Sequence, residues 1–363
     1  MTGLTRARPR APGWLARSMA GFSAVGVKEL RGRMRGKRAF VILTVYLALM
    51  ALFAWMVLGI LESAAQMSTA GGFVSSQIGQ QLFIALLLLE TLLVPFLAPA
   101  LTASAISLER EKQTLDMLTV TPISSLGLVL GKLFSALVYV FLLVIASIPL
   151  TALVFVFGGV GPEDLLRGYL VLIVTAIGFG SIGLFFSALI QRTQAATVVT
   201  YFVVFAVTMG ALFVWVFLTI TGAFNDTGDV QLADRPPEAI LYFNPFVSQA
   251  DVICGTEASY GAFCGMVGEV TGNSLVTFGA QPMPATDFPI DDAIDPRLVK
   301  GALNDVAIDP VIPQTARDTF WPKAMLAWIA LSIVLIGLSV RLVSPRRRGR
   351  IRARRPERTE PTA

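Results

Sequence analysis

Residues 106–132 read ISLEREKQTLDMLTVTPISSLGLVLGK, a short charged stretch with long apolar runs on both sides. Glu109, Arg110, Glu111, Lys112 and Asp116 crowd into what the spacing predicts as two helical turns, closed by Thr121 and Pro122. Leu108, Leu115 and Leu118 recur at helical spacing, which lays an apolar stripe beside the charges. Pro122 pushes Thr121 out of the helical region and sets a boundary there. Ser124 and Ser125 then stand where the next apolar helix needs a cap. A charged amphipathic helix held at a membrane surface suits docking on a soluble partner.

The apolar runs on either side decide the class. Of the 363 residues 55% are hydrophobic and 15% charged, and the mean hydropathy is +0.70, which is membrane-protein composition. Six runs are long enough to cross a bilayer: 39–61, 82–107, 133–157, 165–190, 195–221 and 323–342. A helix rising ~1.5 Å per residue crosses a ~30 Å core in about 20 residues. Backbone groups in lipid must be bonded within their own segment, so these runs are helices. The expected fold is an all-α polytopic membrane protein of six spans.

Charge orients it. With the amino terminus inside, the cytoplasmic pieces 1–38, 107–132, 191–194 and 341–363 hold 10, 3, 1 and 9 basic residues, 23 of the 29. Acids go the other way, with 17 of 24 outside. Short flanking segments are the ones the positive-inside rule governs, so both termini are expected in the cytoplasm of a cell-membrane protein. Within 1–38, Leu15, Met19, Phe22, Leu30 and Met34 share a side opposite Arg17, Lys28, Arg31 and Arg35, which predicts an interfacial amphipathic helix. The tail, 343–363, is rich in arginine just beyond a span, and reads as a contact for anionic lipid rather than nucleic acid. Residues 222–322 form an outer segment of about a hundred residues whose latter part, with many prolines and acids, reads as an insertion of little regular helix.

Glu-Arg-Glu at 109–111, Thr114-Leu115-Asp116, Leu-Thr-Val-Thr-Pro at 118–122 and Leu-Gly-Lys at 130–132 resemble the cytoplasmic segment between the second and third spans of ABC-2-type transporter permeases. Gln113 stands where that pattern has glycine, and Asp116 where it more often has glutamate. The resemblance implies a coupling helix at 107–125 in which Glu109, Arg110, Glu111, Thr114, Leu115 and Asp116 meet a separate ATPase subunit. It implies further that ATP and Mg bind to that partner, and that a second permease copy or paralogue completes a dimer. Export of a hydrophobic or lipid-linked cargo by alternating access follows by analogy. Residues 239–255, with Tyr242-Phe243-Asn244-Pro245-Phe246, are similar to the stretch these permeases place against the outer face before their last span.

Other motifs weigh less. Gly178, Gly180 and Gly183 match a dinucleotide fingerprint, but they lie mid-span, where small residues serve close helix packing. Gly127 to Leu133 falls one residue short of a Walker A loop and has Leu133 where Ser or Thr must bind magnesium. The chain thus shows no ATP site of its own. Glu90 is the only acid well inside a span, and Pro95 and Pro99 follow it on the same helix. These three are candidates for a cavity or gate, with a hydrogen bond to a neighbouring helix as the alternative for Glu90. Cys254 and Cys264 are expected to pair outside. The absence of histidine excludes imidazole bases, Ser-His nucleophiles and His-ligated metals. No span contains aspartate, and Asp291-Asp292 sits in a Pro-rich segment as an ordinary solvated pair. A membrane enzyme is therefore disfavoured. A mechanical or signalling module acting through the outer segment stands as the alternative to a transporter.

Overall fold

The computed structural model describes residues 37–67, 74–113, 124–221, 237–254 and 320–344. The expectations for the amphipathic helix in 1–36, for Thr114, Leu115, Asp116 and the Thr121-Pro122 boundary, for the later outer segment with Cys264, and for the tail beyond 344 lie outside those residues. Among the described residues the regular structure is helical and contains no strand.

Six helices are long and apolar enough to cross a membrane. The first is α1, Lys37–Met67, followed by α2, Val74–Thr102. A tight turn leads from α2 into α3, Ser107–Glu111. Then come α4, Ser125–Thr151, and α5, Pro162–Leu189. The fifth span is compound, with α6, Thr193–Phe205, a π-helical turn Ala206–Gly210, and α7, Ala211–Ile220. A short helix α8, Pro245–Cys254, precedes the last span α9, Phe320–Val343. α2 continues through Pro95 and Pro99.

α5 is the most buried span, and its glycines explain why. A Cβ on Gly178 would overlap the Trp328 ring of α9, and one on Gly183 would overlap Thr102 at the end of α2. A Cβ on Gly180 would stand 2.8 Å from Leu137 of α4. Three neighbours therefore seat on small residues at different faces of α5. Phe179 packs tilted and Phe243 edge-on against Trp328, at 4.8 and 5.8 Å between centroids, and they close the joint with α9. Pro162 opens α5 at its first position, with Asp164 Oδ2 accepting from Gly161 N at 3.2 Å. By contrast α1 and the fifth span are the most open, exposing Val45, Leu52, Trp55, Val198, Phe202, Phe213 and other large apolar side chains.

The helix ends differ from their expected places in informative ways. α4 begins at Ser125, because Ser124 alone is the cap, its Oγ accepting from Gly127 N at 3.1 Å. The helix that starts at Ser107 does not run on past residue 113. It stops at Glu111, and Gln113 has φ of +55°, the left-handed conformation that ends helices. The stripe that joined Leu108 to Leu115 and Leu118 presupposed an unbroken helix, which this turn interrupts.

Candidate functional site

The charged turn after α2 is bonded to three other spans. Ser187 of α5 accepts from the backbone N–H groups of both Ile106 and Ser107, at 2.8 and 3.0 Å. These are donors at the start of α3 that the helix itself leaves unpaired, and Ser187 satisfies them in a buried setting. Lys132 of α4 reaches back to Glu109, with Nζ 2.6 Å from Oε1. Glu111 takes the end of α6, accepting from Thr193 N at 2.7 Å and from Thr193 Oγ1 at 3.0 Å. Its carboxylate thus caps an exposed helix N-terminus, where negative charge is favoured by the helix dipole.

Glu109, Arg110 and Glu111 were expected to contact a partner subunit. Within the chain Glu109 is bonded to Lys132 of α4 and Glu111 to Thr193 of α6. Lys112 and Gln113 are exposed beside them and Arg110 is half-buried. The outward surface of the turn is therefore Leu108, Glu111, Lys112 and Gln113, with Glu109 and Arg110 half-buried beside them. Sequence reasoning missed Ser187, Lys132 and Thr193 as members of the site. Lys132, a cation about two turns inside an apolar helix, carried a usable signal, and the other two carried none.

Glu90 sits elsewhere, within the packed bundle and 1% exposed. Its Oε1 accepts from the Tyr169 hydroxyl of α5 at 3.1 Å and lies 3.5 Å from Thr151 Oγ1 of α4. The hydroxyls of Ser147 and Thr151 stand 3.0 and 2.7 Å from that of Tyr169. Tyr46 of α1 faces the same cluster. Glu90 Oε2 is enclosed with no hydrogen-bond partner. Pro95 and Pro99 are likewise buried. The three residues expected at a cavity or gate are thus packed against neighbours of the same chain. Ser147 and Thr151, polar at i and i+4 on an apolar helix, were the sequence trace of this cluster.

At the opposite end from the charged turn, α8 packs against α2, α5 and α9 with nearly its whole length buried. Asn244 caps it, with Oδ1 accepting from Phe246 N at 2.9 Å, and Pro245 fills the first helical position. The same amide donates through Nδ2 to Thr208 O at 2.7 Å, pairing a carbonyl in the π-helical turn of the fifth span. Asp251 Oδ2 accepts from Trp321 N at 3.0 Å and so caps α9. Cys254, at the end of α8, is disulfide-bonded.

Comparison with known proteins brings one family to this arrangement. The family model described as ABC-2 family transporter protein matches residues 24–253, well over half of the chain, from before α1 to the last turn of α8. No curated protein matches.

Proposed function

The chain belongs to the ABC-2 family of transporter proteins, and from that premise we propose that it is the membrane permease subunit of an ATP-driven exporter, worked by a separate ATPase subunit. The family and the six spans make it a multi-pass membrane protein. The finer reading adds that ATP and Mg sit on the partner, that two permease copies or paralogues form the pathway, and that both termini face the cytoplasm of a cell membrane. The distribution of basic residues supports that orientation, with 23 of 29 on the inner side.

The observation that carries the reading is the three-way attachment of the charged turn. A docking element that merely bound a partner would need one anchor. This one is bonded to α4 through Lys132, to α5 through Ser187 and to α6 through Thr193. A push of an ångström or two on Arg110, Lys112 and Gln113 is then shared by three spans at once. ATP-driven closure of the partner subunits would shift the inner ends of those helices together and alternate access to a pathway between the two permease bundles.

Among the described residues there is no free thiol, which the test uses. Gln113→Cys, alkylated with a photoactivatable maleimide in membranes containing the cognate ATPase, is expected to cross-link to that subunit, more strongly in one nucleotide state than in the other. A label placed at Gly337, on an exposed face of α9, serves as control. Cross-linking to lipid alone from position 113, with the ATPase present and bound, would reject the coupling role.

A further inference from the structure

The polar cluster around Glu90 has a feature that its packing role does not require. Glu90 is contributed by α2, and the groups facing it come from three other helices: Tyr46 from α1, Ser147 and Thr151 from α4, Tyr169 from α5. Its titratable neighbours are two phenols, and no lysine or arginine among the described residues is paired with it. Neutral hydroxyls serve Oε1, while Oε2 is enclosed and bare. A buried polar atom left unpaired is costly, and more so when it carries charge. A proton on Oε2 removes the charge and requires no added volume.

A second bare group lies in the same seam. Gln249 of α8 is fully buried, and neither its Nε2 nor its Oε1 has a partner. Its Nε2 lies 3.0 Å from where a Cβ on Gly168 would stand, and Leu87 touches the same point at 2.8 Å. Gly168 precedes Tyr169 in the chain, and Leu87 precedes Glu90 by about one helical turn. The unpaired amide and the unpaired carboxyl oxygen are therefore adjacent levels of one α2–α5 seam, with α8 packed across it.

We propose that Glu90 and Gln249 form an occluded proton site, in which Oε2 of Glu90 carries an exchangeable proton and exchange passes beneath α8 by way of the Gln249 amide. In the exchange, a carboxylate and a hydronium ion become a carboxylic acid and a water. An amide offers both a donor and an acceptor, so it relays between a bound acid and water without itself ionising. The site stands on geometry internal to one chain and does not depend on how the ATPase couples.

Infrared spectroscopy of the full chain in lipid nanodiscs tests it. At neutral pH the spectrum is expected to show a protonated-carboxyl stretch that shifts in heavy water and is lost in Glu90→Gln. In Tyr169→Phe the band should move to higher frequency, since its carbonyl loses a donor. That shift assigns the band even where Glu90→Gln fails to fold. Gln249→Leu should slow hydrogen–deuterium exchange of the band by on the order of tenfold. Absence of the band at neutral pH, its persistence in Glu90→Gln, or an unmoved frequency in Tyr169→Phe would overturn the assignment. Loss of the band on replacing choline by sodium at constant pH would identify a metal-cation site instead. Exchange at the wild-type rate in Gln249→Leu would remove the relay.

Discussion

Lys132 Nζ stands 2.6 Å from Glu109 Oε1, with the lysine side chain 3% exposed and the glutamate 22%. The asymmetry sets what each substitution does. Lys132→Met leaves a carboxylate that can still turn to water. The expected cost is about 2–3 kcal/mol, below the ~3–5 kcal/mol of a wholly buried pair. Glu109→Met leaves a sealed ammonium group and should cost more. Both are expected to insert normally yet lose stimulation of the partner ATPase, and the exchanged pair Glu109→Lys with Lys132→Glu should recover part of it. Thermal melts in detergent and coupled ATPase assays read the two effects, and an exchanged pair no better than either single variant would refute a pairwise role.

The glycines of α5 give a cleaner stability test. A methyl at Gly178 meets the Trp328 ring, whereas a methyl at Gly337 of α9 meets open space. Gly178→Ala is expected to destabilise by about 1–3 kcal/mol, as overpacking does. Gly337→Ala should be neutral or slightly stabilising. Equal melting temperatures for the two variants would mean that α9 does not seat on Gly178.

Asn244 serves two groups with one amide, and substitutions can separate them. Asn244→Asp keeps an oxygen for the cap at Phe246 but loses the donor to Thr208 O, placing a carboxylate beside a carbonyl. Asn244→Ser keeps the cap and leaves the carbonyl merely unpaired. Loss of a cap costs about 0.5–2 kcal/mol, and a buried unpaired acceptor about 1–3 kcal/mol. The expected order of stability is Asn, then Ser, then Asp, measured by thermal unfolding in detergent.

How much of this the sequence declared follows from the range over which each signal acts. The six spans were legible because runs of apolar residues announce themselves locally, and Asn244-Pro245 is likewise a local helix start. The grouping of charge at 109–116 was legible, but its direction was not. Glu109 bonds to a residue 23 positions on, across a chain reversal that local spacing does not declare. The π-helical turn at Ala206–Gly210 leaves no sequence mark, so the second bond of Asn244 could not be foreseen. Ser187 reads as one more small residue on a packed helix until the turn is seated on it. Partner choice across the bundle was hidden where local structure was not.

Cys254 is disulfide-bonded, and the chain's one other cysteine is Cys264. Non-reducing peptide mapping is expected to recover these two in one linked fragment. Closing a loop this short restricts the unfolded chain by about 3 kcal/mol on the entropic model. Reduction should therefore lower the melting temperature while leaving α8 seated, because its packing rests on Asn244 and Asp251 rather than on the bridge. Fragments that alkylate at both cysteines without reductant would exclude the pairing.

Gln113 offers the sharpest test of the turn itself. At φ of +55° a side chain with a Cβ is strained by roughly 1–2 kcal/mol, and glycine, which the family pattern has there, is not. Gln113→Gly gives up that strain but gains freedom in the unfolded chain, so its net effect on stability should be small. Gln113→Val cannot take the left-handed conformation without a larger penalty. It would drive the chain either to continue the helix or to unseat Glu109 and Glu111 from Lys132 and Thr193. The expected outcome is full coupling in Gln113→Gly and Gln113→Asn, with loss of ATPase stimulation in Gln113→Val despite normal membrane insertion. Hydrogen exchange at the Thr193 amide, which Glu111 protects, should rise in the valine variant alone. Unchanged protection there together with unchanged coupling would mean that the turn at Gln113 has no part in holding the two acids in place.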